Sequence, residues 1–202
     1  MRYAPAAMAD AHHASTPLDP TPLDDSTFAE RCRALTWLLL DVDGVLTDGR
    51  LLYTAEGETV KTFHVRDGLA VRLAQRAGLR LGVISGRSSA PLERRLTDLD
   101  FEHVVLGSQD KRADFDDFLA RHGAEATQVA GVGDDLQDLP LLRLCGLAFA
   151  PADADPEVRA RVDRVLTRRG GNACVREMIE SILRARGAWD EVVAPYFGPP
   201  EQ

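Results

Sequence analysis

Four consecutive apolar residues, Trp37-Leu38-Leu39-Leu40, run without a break into Asp41-Val42-Asp43-Gly44. A short run with no polar alternation fits a strand covered on both faces, as in a parallel sheet between helical layers. The pattern recurs. Residues 79–84, 103–106, 128–132 and 146–149 are apolar segments of the same kind. Between them, residues 69–76, 90–96, 112–122 and 137–144 carry aliphatic side chains at helical spacing. Strand and helix alternate, so the expected fold is α/β, with a mostly parallel sheet and helices on both faces.

One segment breaks the alternation. Residues 50–53 and 59–64, separated by Thr54-Ala55-Glu56-Gly57-Glu58, read as a β-hairpin around a glycine-containing turn, a flap too short to form a cap domain. The C-terminal part continues with a helix over 156–161, a short strand near Val165, a break at Gly170-Gly171 and a helix over 175–186. Residues 1–33, rich in Ala, Pro, Asp, Ser and Thr without periodicity, read as a flexible extension that carries the solvated pair His12-His13. The catalytic domain is expected over 34–193, with a tail to 202.

A chain of 202 residues, 45% hydrophobic and 28% charged, suits one well-filled core. Its net charge of -8 argues against a broad nucleic-acid surface, so any anionic ligand needs locally placed cations. No apolar run approaches the roughly 20 residues that cross a bilayer, and no basic-then-apolar leader stands at the start, so a cytoplasmic protein is expected. Cys32, Cys145 and Cys174 form no close pair and point to neither disulfides nor a thiolate zinc site.

In open parallel sheets ligands gather beyond the carboxyl ends of the strands, so the polar residues after each apolar run are the ones that matter. After the first come Asp41 and Asp43, two apart in extended chain and able to address one volume. Such a pair can hold a hard cation, with one carboxylate attacking phosphorus and the other handling a proton; an acidic capping turn is the other use of these residues. A calcium loop is excluded, because Val45 and Leu46 stand where it needs an oxygen ligand and the turn glycine. After the second run, Ser85-Gly86-Arg87-Ser88 at a helix start suits phosphate oxygens, or a plain N-cap. After the third, Lys111 opens a helix, where a cation gains nothing from the macrodipole, and can neutralise a transferring phosphoryl group. After the fourth, Gly133-Asp134-Asp135-Leu136-Gln137-Asp138 adds carboxylates whose mutual repulsion a divalent metal relieves. Asp134 is the natural further ligand, with Asp138 orienting its neighbours.

The ordered set Asp41-Val42-Asp43-Gly44-Val45-Leu46-Thr47, Ser85-Gly86-Arg87, Lys111 and Gly133-Asp134-Asp135-Leu136-Gln137-Asp138 resembles the haloacid dehalogenase (HAD) superfamily. With Asp48-Gly49 and Phe63-His64-Val65-Arg66-Asp67-Gly68, it resembles the capless subgroup containing the 3-deoxy-D-manno-octulosonate (KDO) 8-phosphate phosphatases. The resemblance implies a Rossmann-like domain and a Mg²⁺-dependent phosphomonoester hydrolase acting through an aspartyl-phosphate. By it, Asp41 is the nucleophile and Asp43 the general acid/base whose backbone carbonyl also ligates the metal. Asp41 and Asp134 are side-chain ligands, Ser85 and Lys111 hold the phosphoryl group, and Asp135 and Asp138 support the metal site. Thr47, Arg66, Asp67, Gly68, Gly86, Arg87 and Arg176 become candidate substrate contacts, surface ion pairing being the other use of the charged ones.

The resemblance further implies a homotetramer in which neighbouring flaps and tails complete the site, and a place in lipopolysaccharide biosynthesis. A nonulosonate 9-phosphate, including an N-acylneuraminate precursor, is the alternative substrate, and a non-catalytic oligomerising module the alternative role. The chain departs from the subgroup in one place. Relatives commonly read Gly-Gly-Arg-Gly-Ala-Val-Arg-Glu where this chain has Gly170-Gly171-Asn172-Ala173-Cys174-Val175-Arg176-Glu177.

Overall fold

The computed structural model describes residues 23–198. At its centre lies β1 (Trp37–Leu40), paired in parallel with β4 (Arg80–Ser85) on one side and β6 (Val129–Val132) on the other. β5 (His103–Leu106) extends the first side, and β7 (Leu147–Ala150) and β8 (Arg164–Val165) extend the second. All six strands are parallel, in the order β5-β4-β1-β6-β7-β8. The chain builds outward from β1 to β5, then crosses back to start β6 on β1's other edge. That reversal opens a crevice at the carboxyl end of β1.

The apolar run of β1 feeds both faces, as its lack of alternation implies. Leu38 and Leu40 enter one core and Trp37 and Leu39 the other, each such leucine contributing about 1.5–3 kcal/mol. The first core takes side chains from α1 (Asp25–Ala34), α2 (Val65–Arg76), α3 (Ala90–Asp98) and α7 (Cys174–Ala185). The second takes them from α4 (Lys111–His122), α5 (Leu139–Leu142) and α6 (Pro156–Arg159). α8 (Trp189–Val193) and a 3₁₀ turn (Ala194–Tyr196) close the described chain, the Trp189 ring lying 4.9 Å from the guanidinium groups of both Arg176 and Arg184. At the amino end of the sheet, His103 Nδ1 is 3.1 Å from His122 Nε2 beneath Trp37 and Phe118. Burial, then His122 and Arg121, push the His103 pKa down to about 4.

Three expectations change. The extension does not run to residue 33, because α1 begins at Asp25. Asp24 caps it through Ser26 and Thr27 amides at 3.0 Å, Phe28 and Cys32 one turn apart are buried, and Arg186 Nη1 satisfies the Cys32 and Leu35 carbonyls at 2.9 and 2.7 Å. Residues 1–22, and with them His12 and His13, lie outside the described residues. The hairpin is shorter than expected: β2 (Leu52–Thr54) pairs antiparallel with β3 (Gly57–Val60), and the second strand stops before 61–64. There Lys61 turns inward to ion pairs, and His64 Nδ1 caps α2 by accepting from the Arg66 amide at 3.2 Å. The helix expected over 137–144 is a 3₁₀ turn, Leu136–Asp138, followed by α5, since Asp135 caps it and Pro140 lies in the first turn of α5.

Candidate active site

The four polar segments singled out in the sequence all leave the sheet at the carboxyl ends of β1, β4, β5 and β6. Asp41 extends the ladder by donating its amide to the Val132 carbonyl at 3.0 Å, and is 5% exposed. The chain then turns: the Val45 and Thr47 amides both reach the Val42 carbonyl, at 3.2 and 3.0 Å, with Gly44 at φ +90°. Gly44 meets two requirements, because a Cβ there would also lie 2.0 Å from Asp134 Oδ2. The turn therefore seats against Asp134 as only glycine allows.

Lys111 enters from the first turn of α4, whose cap is the Asp110 carboxylate, so its side chain is released toward the site. Its Nζ donates to Asp41 Oδ1 at 2.6 Å and to Asp138 Oδ1, with all three side chains at most 5% exposed. Asp138 Oδ2 accepts from the Asp134 and Asp135 amides at 2.9 and 3.2 Å. Both Asp138 oxygens are thereby committed to holding their neighbours. Asp134 Oδ1, in contrast, is buried with no hydrogen-bond partner.

Asp41, Asp134 and Asp138 bring carboxylate oxygens within 4.8 Å of one another. Burial, then Asp41 and Asp138, raise the Asp134 pKa to about 8. Burial and Asp138 raise that of Asp41 against the pull of Lys111. Burial alone would lower the Lys111 pKa, but the two carboxylates outweigh it and raise it. One ammonium among three carboxylates leaves two negative charges, which one divalent cation balances. The orphaned Asp134 oxygen and the oxygen-only donor set fit Mg²⁺.

Asp43 lies in the turn that follows β1, where its carboxylate meets Lys61, Thr47 Oγ1 at 3.3 Å and Arg87 Nε at 3.5 Å. Lys61 also binds Glu58 Oε1 at 2.7 Å, and Glu58 Oε2 binds Arg87 Nη2 at 3.1 Å. Arg87 Nη2 donates to the Tyr53 hydroxyl at 2.5 Å. The hairpin is thus fastened to the turn after β1. Burial alone would lower the Lys61 pKa; its two carboxylate partners outweigh that and raise it. Ser85 is buried at the end of β4, where its hydroxyl faces the Arg87 amide at 3.4 Å. As expected it stands just before a helix: α3 begins at Ala90, with Ser89 as N-cap.

No family model matches the chain. Curated relatives do. The KDO 8-phosphate phosphatase KdsC of Haemophilus influenzae is 43% identical over 158 residues, 78% of this chain and 88% of that one. That of Escherichia coli K12 is 38% identical over 172 residues, 85% and 90% of the two. The chain belongs to the KdsC phosphatase family. A Moraxella catarrhalis KDO 8-phosphate phosphatase, solved with magnesium, phosphate and KDO, superposes with a TM-score of 0.81 at 34% identity, covering 84% of this chain and 97% of that one.

Within this KdsC-family chain the remaining candidates divide. Thr47 Oγ1 faces the Val42 carbonyl and Asp43, at 3.4 and 3.3 Å. Gly86 lies in ordinary contact distance of Gln137 Oε1 and the Ser108 carbonyl, both 3.6 Å from its Cβ position. Asp135 is exposed and accepts from the Leu136 amide at 2.7 Å, capping the 3₁₀ turn. Asp67 is buried and accepts the Arg176 amide at 2.7 Å, fastening the start of α7. Arg176 stacks on Trp189 and pairs with Glu180 at 3.3 Å. Gly68 leaves room for Arg95, whose Nη2 lies 2.4 Å from where its Cβ would be. Arg66 is exposed in the first turn of α2.

The departing tail segment meets the site directly. The Gly171 amide donates to the Val45 carbonyl at 2.9 Å, and a Cβ on Gly170 would lie 1.8 Å from the Gly44 carbonyl oxygen. Ala173 is fully buried at φ +67°, in the left-handed region. Beside it opens a groove of about 360 Å³ lined by Asp48, Arg50, Asp153, Arg169, Gly170, Gly171 and Asn172. Lys61, Glu58 and Tyr53 escaped the sequence reading. A hairpin's period-2 alternation names two faces without saying which one docks.

Proposed function

We propose that this protein is a Mg²⁺-dependent phosphatase that hydrolyses KDO 8-phosphate through an aspartyl-phosphate on Asp41. The observation that carries the reading is Asp41 buried between Lys111 and Asp134, with Asp41 and Asp134 beyond the ends of the adjacent strands β1 and β6. Family membership and the KDO complex of a 34% identical neighbour support the substrate. Mg²⁺, held by Asp41, Asp134 and the Asp43 backbone carbonyl, supplies charge balance for carboxylates and phosphoryl oxygens.

The remaining work falls to the chain. Lys111 and Ser85 orient the phosphoryl oxygens, so that Asp41 attacks phosphorus in line with the departing sugar oxygen. Asp43 protonates that oxygen as the P–O bond breaks. It then takes a proton from the water that cleaves the acyl phosphate, restoring Asp41. Asp138 holds Lys111 and the Asp134 loop in place. Gly86, Arg87 and Arg66 border the entrance for the sugar acid.

The hairpin shows Leu51, Leu52, Tyr53 and Val60 to solvent, at 38%, 52%, 63% and 49%. In this reading a second copy covers them within a homotetramer. The setting is the cytoplasm, in the supply of KDO for lipopolysaccharide; among the described residues no helix is long and apolar enough to cross a membrane.

Phosphate release from a panel of sugar phosphates with Mg²⁺ tests the assignment. KDO 8-phosphate should lead, and Asp41→Asn should lower kcat by at least ~10³-fold. A lead for a nonulosonate 9-phosphate moves the substrate, a lead for mononucleotides removes the sugar-acid reading, and background rates in both proteins remove the enzyme.

A further inference from the structure

The two oxygens of Asp43 stand in different surroundings. Oδ1 accepts from Lys61 Nζ and from Thr47 Oγ1, the latter at 3.3 Å. Oδ2 is buried and accepts from no group among the described residues; Arg87 Nε, 3.5 Å away, is itself buried without a hydrogen-bond partner. A buried carboxylate oxygen with no donor is costly unless a ligand supplies its partner.

The Lys61 side chain is 2% exposed, although it leaves the chain just beyond a hairpin whose outer residues face solvent. A buried ammonium needs compensation, and it has two carboxylates, Asp43 and Glu58. Glu58 in turn holds Arg87, and Arg87 returns to Asp43. Four charges alternate around a closed ring with no net charge. Each cation is shared, so neither Lys61 nor Arg87 acts on Asp43 uncompensated.

We propose that Lys61 is a positioning residue for Asp43. With Thr47 it fixes Oδ1, so that Oδ2 alone exchanges protons during the reaction, and the Glu58–Arg87 pair keeps the hairpin seated so that Lys61 stays in place. The proposal rests on the reading of Asp43 as general acid and base. In the first step Oδ2–H gives its proton to the sugar oxygen as the P–O bond to the sugar breaks and the bond from Asp41 to phosphorus forms. In the second, Oδ2 takes a proton from water as the water oxygen bonds phosphorus and the Asp41–phosphorus bond breaks. A carboxyl group not tied at Oδ1 rotates about its Cβ–Cγ bond and divides the proton between two oxygens, one of them facing Thr47. Misplacement of that kind costs roughly 10²-fold in rate.

The test compares two esters in the full-length protein with Mg²⁺: KDO 8-phosphate, whose alkoxide leaving group needs a proton, and 4-nitrophenyl phosphate, whose phenolate does not. kcat/KM reports events up to leaving-group departure in both. Lys61→Gln should lose roughly 10²-fold on the sugar ester, carried by kcat, and less than about 3-fold on the aryl ester. Lys61→Arg should recover part of the loss. Equal losses on both esters, a loss confined to KM, or no loss would overturn the proposal. Glu58→Gln guards against a folding artefact: it leaves Lys61 in place and should show a smaller loss with the same leaving-group dependence, and an equal loss on both esters would count against the ring. Asp43→Asn isolates the underlying reading. If it loses equally on both esters, Asp43 is not the acid and the reading itself falls; if it discriminates while Lys61→Gln does not, only the role of Lys61 falls.

Discussion

Ala173 holds a backbone conformation that costs an L-residue roughly 1–2 kcal/mol. Its methyl group is fully buried, and the next residue, Cys174, reaches the Val45 carbonyl through Sγ at 3.2 Å. Local strain is therefore held by contacts to the turn that carries Asp41. Ala173→Gly relieves the strain but gives the unfolded chain more freedom, worth about 0.5–1 kcal/mol in the opposite sense. Losing the buried methyl group costs about 0.8 kcal/mol more, so the terms nearly cancel and the net expectation is a change of less than about 1 kcal/mol, read as a nearly unmoved denaturant midpoint at unchanged slope. The tail departure is thus a backbone matter at Ala173 and an exposed side-chain matter at Asn172. Legibility at this scale followed chemistry. Asp41, Lys111 and Asp134 could be placed because each stands just beyond an apolar run. Asp67 and Arg176 could not, because nothing local separates a carboxylate that meets substrate from one that fastens a helix.

Among the elements, α1 and the hairpin were the hardest to read. α1 turns only two apolar side chains fully inward, Phe28 and Cys32, and its other residues are those of a solvated tail. Yet Phe28 is 4% exposed, with the Phe149 ring 6.3 Å away and the Arg164 guanidinium 3.6 Å from its own ring centre. Phe28→Ala should therefore lower stability by about 3–5 kcal/mol while leaving kcat near wild type, as thermal melts and steady-state rates would show. A loss under 1 kcal/mol would mean that α1 rests on the domain without bracing it. The sheet strands were plain because burial on both faces leaves continuous apolar runs. The hairpin had no such constraint: its second strand ends at Val60 because the Lys61 side chain folds inward, a tertiary effect that propensity does not carry.

For the molecule as a whole, folding forces Asp41, Asp134 and Asp138 together, and metal binding should repay that work. The unfolded chain releases the Asp134 proton near its ordinary value of 3.8, whereas the folded protein releases it only near 8. The folded state thus binds the extra proton between those values, and this group makes metal-free stability fall as pH climbs through the window. Mg²⁺ replaces the proton, so it should flatten that slope and add about 2.7 kcal/mol at a hundred times its Kd. Asp134→Asn should remove the Mg²⁺ increment and raise the stability of the metal-free protein near pH 8. Calorimetric scans with Mg²⁺ and with NaCl of equal ionic strength would separate binding from screening. The four strand ends that carry the proposed phosphoryl site belong to the sheet, whereas the ring around Asp43 is completed by a short hairpin outside it. In the proposed mechanism, phosphoryl transfer and leaving-group protonation consequently rest on separate elements. A change in the hairpin could then retune proton delivery without disturbing the sheet, provided each new version still delivered one ammonium to Asp43.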